Sequence, residues 1–284
     1  MISTSIKKIT PAMAEQMLAK NNSNRSLRKS KVHTYALLMQ AGLWEADSND
    51  AILISDNGEL LNGQHRLNAV IEAGIPVNMA IRYGVDKSIF KVLDQGAARS
   101  SGDLFIGNIP SKTAVIGGAR MLTALKHGAS LTPASNGKMQ NGAAVPNEWI
   151  FSDIEEHYQE YLTALKHAEK FYRCLGKGSK SVMIFVIMLA KYVGVGDEII
   201  EFIEDVTAKR PESDAAIVLK NTLLQRYARR IRTSPKEFIG IVLYAYGKYR
   251  NSTPITIIKI TDAIRTFAEY DEMTRMKYEM KAGA

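Results

Sequence analysis

The chain carries one cysteine, Cys174, so no disulfide can form within it. A reducing, cytoplasmic location is the expectation. Cys174 ends a helical pattern in Phe171-Tyr172-Arg173-Cys174-Leu175, which suits a buried structural thiol better than a nucleophile. Long hydrophobic runs are also missing. The longest, Val182 to Ala190, is about half of a bilayer span and reads as a buried helix, so no membrane partner is expected. Met1 to Lys8 lacks the apolar stretch of a secretory leader. The histidines show no metal-ligand spacing: His33, His127, His157 and His167 lie far apart without nearby cysteine, and no metal site is expected among them. His157 and His167 read as helix-surface residues.

Acids are scarce in one region. From Lys220 to Arg250 there are eight cations against Glu237 alone, which accounts for nearly all of the +8 net charge. Arg226, Arg229, Arg230, Arg232 and Lys236 alternate with tyrosines such as Tyr227 and Tyr244. Such a stretch suits a nucleic-acid backbone with rings for stacking. It equally describes a solvated helix face with its tyrosines turned inward.

What is present divides the chain in two. Thr10-Pro11 is a cap-then-proline helix start, and a second helix is expected from about Leu27 to Gln40. Ala51 to Ile54 and Glu59 to Leu61 read as strands around the turn Asp56-Asn57-Gly58. A helix closed by Gly74 and a strand from Val77 to Tyr83 follow, then short helices over Asp86–Leu93 and Ser101–Phe105. From Ser111 the apolar spacing is helical, near 111–127, 148–175, 180–193, 197–209, 213–232 and 235–250. Gly128 to Pro146 is a long loop by composition, and Thr253 to Ile260 is locally β-rich. The expected fold class is α+β: a small mixed-sheet domain over 1–109 and a helical domain over 110–284.

The chemistry concentrates at Asn62-Gly63-Gln64-His65-Arg66, between a strand and a helix. Glycine allows close backbone approach to a ligand, and a helix start presents amides and a positive dipole end. An anion fits there. Arg66 adds a forked donor, and His65 one that can gain charge near neutral pH. A helix that merely begins with two solvated basic residues has the same sequence. Glu59 is either a general base or an exposed strand residue. Asp94 and Arg99 flank a glycine loop, where Arg99 can clamp a second phosphate and Asp94 can hold Mg²⁺; the two can equally fasten the loop to itself. Arg25 and Arg28 either reach phosphate or face water. Gly176 to Lys180 lacks the spacing of a phosphate loop and reads as a basic turn.

The segment Glu59-Leu-Leu-Asn-Gly-Gln-His-Arg-Leu-Asn-Ala69 resembles the signature of the ParB/sulfiredoxin superfamily, in its Asp-Gly-Gln-His-Arg phage and plasmid branch. Asn24-Arg25, Gly42-Leu43-Trp44 and Asp94-Gln95-Gly96-Ala97-Ala98-Arg99-Ser100 extend the likeness over about residues 20–105. The resemblance implies a mixed-sheet fold that sets this loop against nucleotide phosphates. It implies ATP or CTP as ligand, with Mg²⁺ as an option, and DNA as a partner. It also implies a place in phage or plasmid DNA metabolism. Gln64 stands where sulfiredoxins carry cysteine, which speaks against sulfinic-acid reduction. His65 stands where ParB carries an arginine, so CTP specificity does not transfer. Asn62 replaces the branch's aspartate, which keeps the turn and loses the charge. Three classes of function follow: a nuclease, nucleotidase or phosphoryl transferase; a nucleotide-switched DNA-binding or adaptor protein; and an inhibitor of a host defence enzyme. Whether the chain is an enzyme, and whether it forms homo-oligomers, stays open.

Overall fold

The structure is a computed structural model. It describes residues 2–21, 27–46, 51–86, 105, 108–129, 143–175, 179–195 and 197–282, apart from the side chains of 275 and 278–282. The chain is mixed α+β, a small four-stranded mixed sheet and many helices, in two compact units. The first comprises Met1–Ala98 with Asn141–Pro146, the second Arg99–Gln140 with Asn147–Ala284.

In the first unit the strands are β1 (Ser3–Ile9), β2 (Ile52–Ser55), β3 (Leu60–Asn62) and β4 (Val77–Val85), in the order β1-β4-β2-β3. β2 runs parallel to β4, with Ile52 beside Ile81. β1 pairs antiparallel with β4 from Ser3–Tyr83 to Ile9–Val77. β1 has no expectation behind it in the sequence. Only Ile9 of its residues is buried, so it shows no apolar run. It holds the edge by main-chain pairing, and its lysines discourage pairing with other chains. Lys7 lies over the Tyr83 ring, 4.9 Å from its centroid.

Three helices pack with this sheet: α1 (Pro11–Leu18), α2 (Lys29–Gln40) and α3 (Gln64–Ala73). Thr10 caps α1, its hydroxyl accepting from Met13 N–H at 3.2 Å. Ile9, Ala14, Val32, Ala36, Met39, Leu67 and Val70 join Ile52, Ile54, Met79 and Ile81 in one core. The hairpin from β2 to β3 closes through Ser55, whose N–H donates to Glu59 O (2.9 Å) and whose hydroxyl accepts from Glu59 N–H (2.8 Å). Ala144 N–H donates to Thr34 Oγ1 (2.9 Å), which ties the segment 143–146 to α2. The short helices expected over Asp86–Leu93 and Ser101–Phe105 lie, but for their end residues, outside the described residues.

The second unit contains α4 (Lys112–Lys126), α5 (Asn147–Glu156), α6 (Tyr158–Leu175), α7 (Lys180–Tyr192), α8 (Asp197–Thr207), α9 (Asp214–Ala228), α10 (Pro235–Arg250) and α11 (Ile260–Ala282). The apolar run Val182–Ala190 is buried throughout and makes α7 the core helix. None of the described helices is long and apolar enough to cross a membrane. The segment expected as one helix over 148–175 divides at His157 into α5 and α6. The β-rich stretch after Thr253 forms an irregular connection that buries Ile255 and Ile258, and α11 follows it. Cys174 is half-buried, not fully enclosed as expected. His167, expected on a helix surface, is 7% exposed, with Nδ1 2.8 Å from the Glu204 carboxylate.

α10 and α11 meet at Gly240. A Cβ there would lie 2.2 Å from the Ala263 carbonyl oxygen, so only glycine permits this approach of main chains.

Candidate phosphate-binding loop

The loop begins where β3 ends at Asn62. Gly63 takes φ 115°, a conformation that L side chains rarely adopt. A Cβ at Gly63 would also stand 3.0 Å from Ile52 Cγ1. The sequence suggested that this glycine admits a ligand; the structure adds that it admits β2. The turn therefore sits directly on the sheet, which fixes the position of the helix start that follows.

α3 opens with Gln64, His65 and Arg66. No acid stands in its first turn, and no side chain caps it. The helix ladder begins with Leu67 N–H donating to Gly63 O at 3.0 Å, so the amides before it point out of the helix start. All three residues are buried, at 7%, 6% and 6% exposure. Gln64 Oε1 accepts from Asn21 Nδ2 (3.2 Å), and Gln64 O accepts from Asn68 Nδ2 (2.8 Å). His65 Nε2 accepts from Arg28 N–H at 3.0 Å. That lone pair is therefore in use, and the ring in this arrangement is the Nδ1–H tautomer. The expectation that His65 gains charge is refined accordingly: its remaining donor is Nδ1. Arg28 contributes through its main chain.

The structure brings Asn62, Gly63, Gln64, His65 and Arg66 together on one strand-to-helix turn. Glu59 is half-buried at the hairpin turn, one residue before β3, where its main chain closes the hairpin. Arg25, Asp94 and Arg99 lie outside the described residues. The link that sequence reading missed is from Asn21 and Arg28 to this turn. It is carried by one side-chain amide and one main-chain N–H, neither of which has a spacing signature.

In the basic region the five cations separate into two kinds. Arg226 is half-buried: Nε donates to Thr233 Oγ1 (2.9 Å), and Nη2 lies 3.5 Å from Glu237 Oε1. It fastens the connection between α9 and α10. Arg229, Arg230 and Arg232 are exposed, and Lys236 is half-buried over the Phe267 ring at 5.5 Å. Tyr227 is 46% exposed, whereas Tyr246 is fully buried and Tyr249 packs on Phe202 with ring centroids 5.0 Å apart. The surface open to a polyanion is thus three arginines and one tyrosine around the end of α9. Glu237 accepts from Ser234 N–H and is paired with Arg226, which together hold its carboxyl below the ordinary value.

No family model, no curated protein and no solved structure matches the chain.

Proposed function

We propose that the first unit is a ParB/sulfiredoxin-like module that seats a phosphoryl group of a nucleotide or of DNA. In this reading it serves phage or plasmid DNA metabolism as a nuclease, nucleotidase or phosphoryl transferase. The observation that carries the reading is the first turn of α3, which holds His65 and Arg66 and no acid. A phosphate bound there is favoured by the positive end of the helix dipole and meets main-chain amides and a guanidinium fork together. In this reading Arg66 binds the phosphate and Gln64 and His65 orient the turn. Asn62 shapes it, Arg25, Arg99 and Asp94 complete the site, and Glu59 is the candidate base. ATP or CTP, with or without Mg²⁺, is the ligand class.

The test is a thermal-shift titration with ATP, ADP, CTP, GTP, NAD and short DNA, with and without Mg²⁺. A ligand at a hundred times its Kd stabilises the native chain by about 2.7 kcal/mol. The expected result is a shift with one of these ligands, reduced in Arg66→Lys and lost in Arg66→Gln. Circular dichroism checks that both variants fold. An equal shift in both variants, or no shift with any ligand, rejects the reading. Loss of turnover in Arg66→Gln then separates an enzyme from a binding module.

A second reading, a non-catalytic DNA-binding or adaptor protein, is favoured by the exposure of Arg229, Arg230 and Arg232. It requires binding to duplex DNA whose log–log salt slope falls by about one for each of these arginines removed. A slope unchanged in the triple variant counts against it.

A further inference from the structure

The second unit carries an open pocket of about 910 Å³ that the loop of α3 does not line. That volume is within the range of small-molecule sites. Four features of its wall bear on what it takes.

The first is a ring shelf. The half-buried Trp149 indole is stacked on His127, with centroids 3.9 Å apart and planes 15° from parallel. Burial pushes the His127 imidazole below its ordinary value, against the pull of Asp153, so the shelf is two flat neutral rings at pH 7. The second is a pair of ammonium groups over one ring. Lys126 and Lys277 both lie over the Tyr192 ring, 4.9 and 4.4 Å from its centroid. Lys126 is paired with Asp153, which also accepts from Tyr161 Oη at 2.5 Å. Lys277 donates to the Tyr192 carbonyl, and no carboxylate among the described residues pairs with it. Lys191 and Asp197 also line the wall, 3.8 Å apart, so Lys277 is the ammonium of the lining that no carboxylate among the described residues balances.

The third feature is a rim of acceptors. Glu156 and Glu160 each lie 3.8 Å from His157, with side chains 72% and 45% exposed. In water these carboxylates contribute little charge to the interior, yet they accept hydrogen bonds from hydroxyl groups. The fourth is Thr123, which is 1% exposed and lines the cavity, and whose hydroxyl has no hydrogen-bond partner among the described residues. A buried hydroxyl left so costs about 1–3 kcal/mol. The oxygen has no accessible surface as it stands, so a rotation of the Thr123 side chain is what would present it to a polar ligand atom.

A nucleoside monophosphate brings a flat ring, an anion and a pair of hydroxyl groups together. We propose that the helical unit binds a nucleoside monophosphate in this cavity. Its base lies against Trp149, its phosphate against Lys277 and Lys126, and its ribose diol against Glu156 and Glu160. The proposal is independent of the reading of the first unit, and its test leaves Arg66 in place.

Trp44 and Trp149 are the two tryptophans of the chain. Replacing Trp44 in the first unit by phenylalanine makes Trp149 the sole indole reporter. The full-length Trp44→Phe protein is titrated with AMP, GMP, CMP and UMP, with the matching nucleosides and with inorganic phosphate, following indole fluorescence. The expected result is saturable quenching by at least one nucleotide and roughly tenfold weaker binding of its nucleoside, as loss of a charge-assisted hydrogen bond implies. Adding Lys277→Gln narrows the difference between nucleotide and nucleoside, and Lys277→Arg restores it. Non-saturating quenching, equal affinity for nucleotide and nucleoside, an unaltered preference in Lys277→Gln, or a response to polynucleotides alone overturns the proposal. The nucleotide–nucleoside comparison needs no Lys277 variant, so it remains decisive if Lys277→Gln does not fold. Fluorine NMR of the unsubstituted chain labelled with fluorotryptophan replaces it if Trp44→Phe does not.

Discussion

At the start of α10, the Ser234 hydroxyl accepts from Glu237 N–H at 3.2 Å, and the Glu237 carboxylate accepts from Ser234 N–H at 2.8 Å. Pro235 occupies the first helical position, where a missing N–H costs nothing. At the start of α3, Gly63 brings no side chain, and the first turn holds two basic residues and no acid. One helix start satisfies its own amides and dipole with residues three positions apart. The other has neither a side-chain cap nor an acid in its first turn, and what it meets comes from elsewhere in the fold, as Arg28 N–H meets His65.

The contrast can be broken most severely at Gly63. Gly63→Ala forces a side chain into φ 115° and against Ile52, and urea denaturation should show a loss of about 2–5 kcal/mol. A loss under about 1 kcal/mol would mean that the turn is free to move off the sheet. Next in size is Ser234→Ala, which removes the cap of α10 and should cost about 1 kcal/mol in the same measurement. The comparison is sharpened by giving α3 the acid it lacks. Gln64→Glu keeps an oxygen for Asn21 and should stabilise the ligand-free chain by about 0.5 kcal/mol, while reducing the nucleotide-induced thermal shift. A thermal shift as large as that of the native chain would show that the helix start is not where phosphate goes. The smallest effect is acid-dependent. The Glu237 carboxyl lies below its ordinary value of 4.5 in the folded chain. Its contribution is therefore present above that value and is lost as pH falls through the lower, folded one. Glu237→Gln should reduce stability at about pH 7, with the effect fading as pH falls through the lowered folded value, compared by denaturation midpoints.

The local devices were legible from residue order alone. Thr10-Pro11, Ser234-Pro235 and Asp56-Asn57-Gly58 act within a few positions of one another, and the helix start or turn appears at each. β1 was not legible. Its stability comes from pairing with β4, 68 to 80 residues away, and its Ile6 faces outward at 56% exposure, so no alternation marks it. α11 was missed because the irregular stretch before it carries β-branched residues that serve a buried connection. In the candidate phosphate loop the residue types could be read, and their tethering to Asn21 and Arg28 could not. The cavity of the second unit was invisible: Trp149 and Asp153 stand four apart on one helix, but Lys126 and Lys277 join them only after folding.

The contact at Gly240 reaches further than its own neighbourhood. Ala263 sits near one end of α11, and Lys277 lies fourteen residues along the same rod, about 21 Å away at 1.5 Å per residue. The glycine acts as a fulcrum. Wedging the two helices apart there, by a tilt of roughly five degrees, would swing the far ammonium through roughly 2 Å, several times the roughly 0.5 Å over which a hydrogen bond holds. The reach of Lys277 into its pocket is thus set by a residue that does not line the pocket.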